Sequence, residues 1–513
     1  MDDRGTANAV PRLFGGPHSN RKDEPIGTFA VHTSMPSEDD RQRCAHLLRR
    51  FGLGSSEEEI DLYLADGWEG AVPKLLDYES VDEGFSVDPA RLRYPGGRLN
   101  SQTVGVWWTM RLLMTRRPLQ ERMTLFWHDH FATSATKVNA ATMMLQQNET
   151  LRANASGSFR KLLTEVSKSP AMILWLDNQE NVKGHANENF AREVMELFTL
   201  GIGHYTETDV QEGARAFTGW GLQREGGPGQ DPTAEFVFRP FRHDSGTKSF
   251  LGKEADLDGD DVLKILCDDP RTAEFLVTKI WDWFVWPKPE AHTVAPFVHR
   301  FLETGLDIKS LLRSIMTSPE FYSSKARRAV VKSPVDLCVA TLREMGMGEG
   351  IRRLIENPPP PVTAPPSPTA AQNSLPRAAI QPAVAANQAM RAMGMWLLYP
   401  PDVHGWDNGN AWITSQTMTE RVMWGDRIFG QSKLRGPNMS FQAFPLFQGD
   451  PTPKGVVRRL TSLFDADIKP DHSRILVEAA QKASGGAVTP ENANVTAAAV
   501  SRLLFGSPEF QLA

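Results

Sequence analysis

Apolar residues recur at three- and four-residue intervals along long stretches of the chain, the spacing that lines one face of an α-helix. Ser37-Glu-Asp-Asp40 is a capping signal, and a helix is predicted from there through Leu47 and Leu48. Ser55-Ser-Glu-Glu-Glu59 opens a second helix carrying Ile60, Leu64 and, after Gly67, Trp68. Residues 119–131 and 148–167 continue the pattern, and Pro170, Gly184, Gly201 and Gly203 punctuate it. Thr206-Glu-Thr-Asp209 caps a further helix that presents Val210, Ala214 and Phe217, which Gly219-Trp220-Gly221 ends. After Asp256–Asp261, with Asp260 as the expected cap, a long helical run reaches Trp286. Its Trp281, Trp283, Phe284 and Trp286 are too many for one stripe and predict burial on more than one side.

Two stretches break the helical period. Residues 234–242 partly alternate, and Ser245-Gly246 supplies turn chemistry before Thr247-Lys-Ser-Phe-Leu251, which predicts a small β-hairpin near 234–252. Residues 358–382 hold nine prolines and a single charged residue, Arg377, and read as an extended spacer, with helical patterning resuming at 385–398. The expected fold is mainly α, a large multi-helix body with a small hairpin and a proline-rich loop. The expected division is a disordered lead-in at 1–36, a main helical body at 37–357 with a central motif region at 119–252, a proline-rich linker at 358–384, and a C-terminal helical part at 385–513 packing back on the body. Leu311-Leu-Arg-Ser-Ile-Met-Thr-Ser-Pro-Glu-Phe321 is echoed by Leu503-Leu-Phe-Gly-Ser-Pro-Glu-Phe510; Ser before Pro with an acidic first turn reads as recurrent helix-start chemistry, not duplication.

A chain of 513 residues exceeds one ordinary core. Hydrophobic content of 40% and charged content of 23% are those of a globular protein. A net charge of −6 argues against a nucleic-acid partner or an anionic-membrane field, and the basic runs at 41–50 and 325–332 alternate with apolar residues as solvated helix faces do. Cys44, Cys267 and Cys338 are far apart and show no CxxC spacing, which excludes a disulfide framework as the organising device. No apolar core marks the first 35 residues as a signal peptide, and no run approaches transmembrane length, so a cytoplasmic location is expected.

Candidate chemistry concentrates in Phe126-Trp-His-Asp-His-Phe131, Asn187-Glu-Asn-Phe-Ala-Arg-Glu-Val-Met-Glu-Leu-Phe198 and Ala214-Arg-Ala-Phe-Thr-Gly-Trp220. Each sets ionisable side chains beside large aromatics, which predicts a shared inward-facing polar cluster. On a continuous helix His128 and His130 point about 200° apart and cannot share a metal; joint ligation requires the helix to end near Trp127. Glu188, Arg192 and Glu196 form an i, i+4, i+8 charge ladder, while Glu193 and Glu196 are candidate carboxylate ligands or bases. His185, two residues before the expected Asn187 cap, lies nearby. His243 and Asp244 sit at the hairpin turn, and Asp402, His404, Trp406 and Trp412 lie in a Gly-rich aromatic loop expected to fold over the body and line a pocket. Walker A, dinucleotide GxGxxG, HExxH and GxSxG signatures are missing, and Asp256–Asp261 lacks the glycine and glutamate of an EF-hand loop.

At these residues the chain resembles the bacterial family catalogued as domain of unknown function 1800, from about residue 45 to the C-terminus. The resemblance is carried by His46-Leu-Leu-Arg-Arg-Phe-Gly-Leu-Gly54, the three motifs above, Ser169-Pro-Ala-Met172, Leu176-Asp-Asn178, His243-Asp244, Leu251-Gly252, the segment from Pro400 to Trp406 and Ser507-Pro-Glu-Phe510. It implies a mainly α-helical fold without a settled activity. It also implies export for many members and a sulfatase-like protein as a candidate partner.

The leading expectation is an enzyme with a polar His/Glu/Arg cleft carrying hydrolytic or oxidative chemistry, with a divalent metal as candidate cofactor. Catalytic candidates are His128, His130, Arg192, Glu193, His243 and Asp244; substrate-binding candidates are Glu188, Trp220, His404 and Trp406; the metal set is His128, Glu193 and Glu196. The rival is a non-catalytic scaffold in which the same residues form a buried ion-pair network and a partner docks elsewhere, for instance on the proline-rich segment.

Overall fold

A computed structural model describes residues 37–92, 97–227, 231–358, 375–432, 439 and 441–513. The expected lead-in at 1–36 and most of the proline-rich segment lie outside the described residues. Among the described residues the fold is mainly helical, with 22 α-helices and two small two-stranded antiparallel sheets.

Local chemistry starts these helices. Ser37 caps the helix Glu38–Phe51 by accepting from Asp40 N while the Asp40 carboxylate accepts from Ser37 N, and Thr206 and Asp209 do the same for Glu207–Ala216. Each such cap contributes about 1 kcal/mol. At Gly259–Asp268 the cap is Asp258, boxed with Asp261, and not Asp260, which points outward to Lys168.

Apolar faces from these helices make two hydrophobic cores. The first gathers residues from Cys44 to Ala326, including Phe51, Phe159, Phe198, Phe217 and Trp281. The second gathers Trp107, Trp108 and Leu112 from Ser101–Met114 with helices of the C-terminal third, including Leu337, Ala386, Trp424 and Phe505. The cores do not divide the chain at one point, because Ser101–Met114 packs against Arg377–Ala392 and Pro334–Glu344. The helix Pro118–His130 is shared. Leu119, Met123, Phe126 and Trp127 enter the first core and Leu125 the second.

The strands pair differently from the expected hairpin. Strand β1 (Trp220–Glu225) pairs with β2 (Thr233–Phe238), and β3 (Lys248–Phe250) with β4 (Lys253–Ala255). Ser245-Gly246 is not the turn of a hairpin; Asp244 beside it is bound by Arg215, which holds this segment on the helix instead. The helix after the proline-rich segment begins at Arg377, not 385, and contains Pro382. An internal proline costs about 3 kcal/mol through its lost N–H and ring clash. Here Pro382 is buried on the face that also buries Ala379, Ala383 and Ala386, and this packing offsets the loss. The Ser-Pro-Glu-Phe echo opens a turn in its first copy, where Tyr322 N donates to Pro319 O, and the short 3-10 helix Glu509–Gln511 in its second, where Gln511 N donates to Pro508 O; each buries its Phe321 or Phe510. No helix among the described residues is long and apolar enough to cross a membrane.

Candidate functional site

The helix Pro118–His130 runs unbroken through both histidines, so His128 and His130 face opposite cores. The ring of His128 meets Trp108 and Trp406, with centroids 5.3 and 5.4 Å away. Its Nε2 accepts from the backbone N–H of Leu398 at 3.2 Å, which places the proton on Nδ1. The ring of His130 lies among Phe126, Phe131, Phe198 and Phe275. Its Nε2–H donates to Phe198 C=O at 3.2 Å, and its buried Nδ1 has no hydrogen-bond partner. Burial pushes His128 down to about 3 and holds His130 well below the usual imidazole range, so both rings are neutral.

Asp129 between them is the residue that ties this turn of helix to the C-terminal third. Its Oδ1 accepts from Trp406 N at 2.8 Å, and a side-chain bond runs to Asn408. Gly405 packs on it so closely that a Cβ there, at φ +90°, would stand 2.4 Å from Asp129 Oδ1. Burial raises the Asp129 carboxyl to about 6, opposed by Trp406 N–H and by Lys279. Sequence reasoning quoted Asp129 within its motif but gave it no role.

Clamped in this way, the segment from Pro400 to Asn408 sets Val403 and His404 on the wall of a cleft of about 890 Å³. Opposite walls come from Leu197, Leu200 and Ile202 after the helix Asn189–Glu196, from Pro270–Phe284 and from Ala291–Glu303. Lys279 lines it close to Asp129 and His130, and burial holds its amine below the usual lysine range. No carboxylate stands within salt-bridge distance of that amine among the described residues. Sequence reasoning missed Lys279. The available signal was a lysine set between Val277 and the aromatic run Trp281–Phe284.

Glu196 lines the same cleft and takes a hydrogen bond from the Tyr205 hydroxyl. Burial and Glu196 raise that phenol to about 12, so it stays a donor. One turn earlier, burial and the Glu196 carboxylate hold Glu193 above the usual carboxylate range, with His404 and Arg192 opposing. His404 itself is exposed and bonds Asp402, Nδ1 to Oδ1 at 3.3 Å. The structure thus brings Glu193, Glu196 and His404 together.

Other candidates go elsewhere. Arg192 does not complete a ladder with Glu196; it binds Glu207 at 2.7 and 2.9 Å and Glu188 at 3.3 Å at the surface. Ladder spacing was right, but the nearer partner came from the next helix. His243 Nδ1–H donates to Thr218 C=O at 2.9 Å, and Asp244 accepts from Arg215 Nε at 2.9 Å, which draws its carboxyl down to about 2. These bonds stitch the loop to Glu207–Ala216. Trp220 is buried among Phe190, Phe217 and Phe236, and Trp406 is buried beside His128, so neither offers a free stacking face. The metal set His128, Glu193 and Glu196 is not assembled, since the Nε2 lone pair of His128 is taken by Leu398. Among the described residues no three His, Cys, Asp or Glu side chains converge as ligands.

Fold and cleft define a mainly helical protein in which a buried Trp-His-Asp-His turn underlies a mixed apolar and ionisable cleft. The chain belongs to the family described as "Protein of unknown function (DUF1800)", whose model matches residues 46–512. No curated protein and no solved structure matches it.

Proposed function

We propose that the protein is an enzyme whose chemistry takes place in this cleft and is of the general acid–base, hydrolytic type. The observation that supports it is the meeting of Glu193, Glu196 and His404 beside a large concave pocket, with Glu193 held toward its protonated form. A carboxyl raised above its ordinary range is better suited to acid or base chemistry than an unshifted one. Glu193 is the acid or base in this reading, Glu196 is oriented by Tyr205, and His404 is its partner across the cleft. The test is turnover of chromogenic carboxylic, phosphate and sulfate esters and glycosides. Glu193→Gln, with unchanged thermal midpoint, is expected to lower kcat about 100-fold or more. Equal turnover by wild type and variant across the set rejects the reading.

A scaffold role is the second reading, favoured by the Asp129 and His128 bonds that tie distant parts of the chain together. A sulfatase-like partner and export, both implied by family resemblance, belong with these proposals. Co-purification and fractionation of tagged protein test them.

A further inference from the structure

The cleft walls are largely apolar: Leu197, Leu200, Val294, Val298 and Val403 line it, and two further lining residues, Ile202 and Leu302, are 77% and 39% exposed. Large apolar side chains left open at a pocket rim mark a place where an apolar partner covers them. The ionisable groups in the cleft are mostly committed. Arg271 is held by Asp269 and by His204 C=O, Glu196 by Tyr205, and Asp282 accepts from Lys288 N at 2.7 Å. Glu274 is exposed, as is His204. Lys279 is the exception, a half-buried amine beneath these walls without a carboxylate in salt-bridge reach among the described residues.

A half-buried ammonium whose neighbouring carboxylate, Asp129, stands beyond salt-bridge reach keeps unmet donors, and a ligand anion satisfies them. An apolar wall with one such cation selects for a molecule that is apolar along its length and anionic at one end. We infer that the cleft binds a small amphiphile with a single anionic head group, its head on Lys279 and its apolar body along Leu197, Leu200, Val294 and Val298. Carboxylate and phosphate heads share this chemistry. A volume of about 890 Å³ accommodates a chain or ring system of small-ligand size. This inference names the ligand class of the cleft proposed above and rests on that cleft being the working site.

The experiment is displacement of 1-anilinonaphthalene-8-sulfonate from the full-length protein by decanoate, decyl phosphate and decanol. Wild type is expected to bind both anions at least about tenfold more tightly than the alcohol, the value of one charge-assisted contact. Tighter decanoate than decyl phosphate identifies a carboxylate head, and the reverse a phosphate head. Lys279→Met should erase the preference while keeping decanol affinity, and Val298→Trp should weaken all three by filling the cleft. Far-UV circular dichroism confirms that both variants are folded. Equal affinity for anions and alcohol in wild type, or a preference that survives Lys279→Met, overturns the inference. Neither outcome touches Glu193-dependent turnover, and a Glu193→Gln variant that is inactive yet binds decanoate normally separates the chemistry from the ligand class.

Discussion

The backbone N–H of Trp406 donates to Oδ1 of Asp129 at 2.8 Å, across 277 positions of sequence. This bond sets the wall that carries His404, and Leu398 N to His128 repeats the device one residue earlier in the helix. A helix in the first third of the chain thereby places a loop from the last third over the cleft.

Asp129 makes stability depend on pH. Its folded value, about 6 against 3.8 for an ordinary aspartate, is raised, so its contribution is fully present below about 4 and is lost as pH rises through 6. Two units correspond to about 3 kcal/mol. Asp129→Asn keeps an acceptor for Trp406 N–H and has no charge to bury. Urea unfolding at pH 4 and pH 7.5 should show wild type losing up to about 3 kcal/mol relative to the variant over that window. Parallel stability curves would refute the assignment.

The buried histidines act in the opposite sense. His46 falls to about 2 and His128 to about 3, both from 6.5 and both through burial, so they contribute stability above pH 6.5 that is lost on acidification. For His128 the full loss is on the order of 5 kcal/mol. Acid unfolding should therefore begin between pH 5 and pH 4, near about two units below the ordinary imidazole range. In His128→Gln, which retains an acceptor for Leu398 N–H, the midpoint should move to lower pH. A midpoint unmoved in His128→Gln would show that this ring does not limit acid stability.

Gly405 is required by proximity as well as by its φ of +90°. In Gly405→Ala a methyl would press on Asp129 Oδ1 and on its carbonyl oxygen, with backbone on one side. A loss of about 2–4 kcal/mol is expected, together with weaker ligand binding in the cleft, because the wall moves with Gly405. A calorimetric midpoint within about 1 °C of wild type would show that the loop has room to yield.

Glu121 is fully buried and accepts from Arg152 and from Trp108 Nε1 at 2.9 Å, with Arg111 3.1 Å away. Its carboxyl lies below the ordinary range despite burial, because the charges of Arg152 and Arg111 outweigh the cost of desolvating it. Glu121→Ala leaves Arg111 on Glu83 and Glu149 and Arg152 on Glu149 and Asn148, so the loss of its charged hydrogen bonds should cost about 1.5–3 kcal/mol by chemical unfolding. The replacement Glu121→Gln should recover a part of this through the Trp108 and Arg152 bonds. A cost below about 1 kcal/mol for the alanine variant would mean that water reaches the arginines.

Much of the local structure was legible in the residues because it depends on near neighbours. Ser37 with Asp40 and Thr206 with Asp209 are capping pairs three apart, and both form. The opposition of His128 and His130 follows from helical spacing alone once the helix continues through them. The same rules misjudged Pro382, whose cost is offset by burial against distant helices, and the hairpin, whose partner for β2 lay before it in Trp220–Glu225.

The candidate site was legible only in pieces. Glu193, Glu196 and His404 carry chemistry that the sequence announces, and helix geometry puts the two carboxylates one turn apart. Periodicity says nothing about which distant element meets which. Arg192 chose Glu207 over Glu196, His128 gave its lone pair to Leu398, and Trp220 and Trp406 became core. Lys279 became a cleft-lining cation without a direct salt bridge only when Asp129, the Val403–His404 wall and Ala291–Glu303 closed round it. Short-range spacing and capping are properties of a few consecutive residues and can be read from the chain. Burial and the pairing of charges depend on contacts between residues hundreds of positions apart, and packing alone decides them.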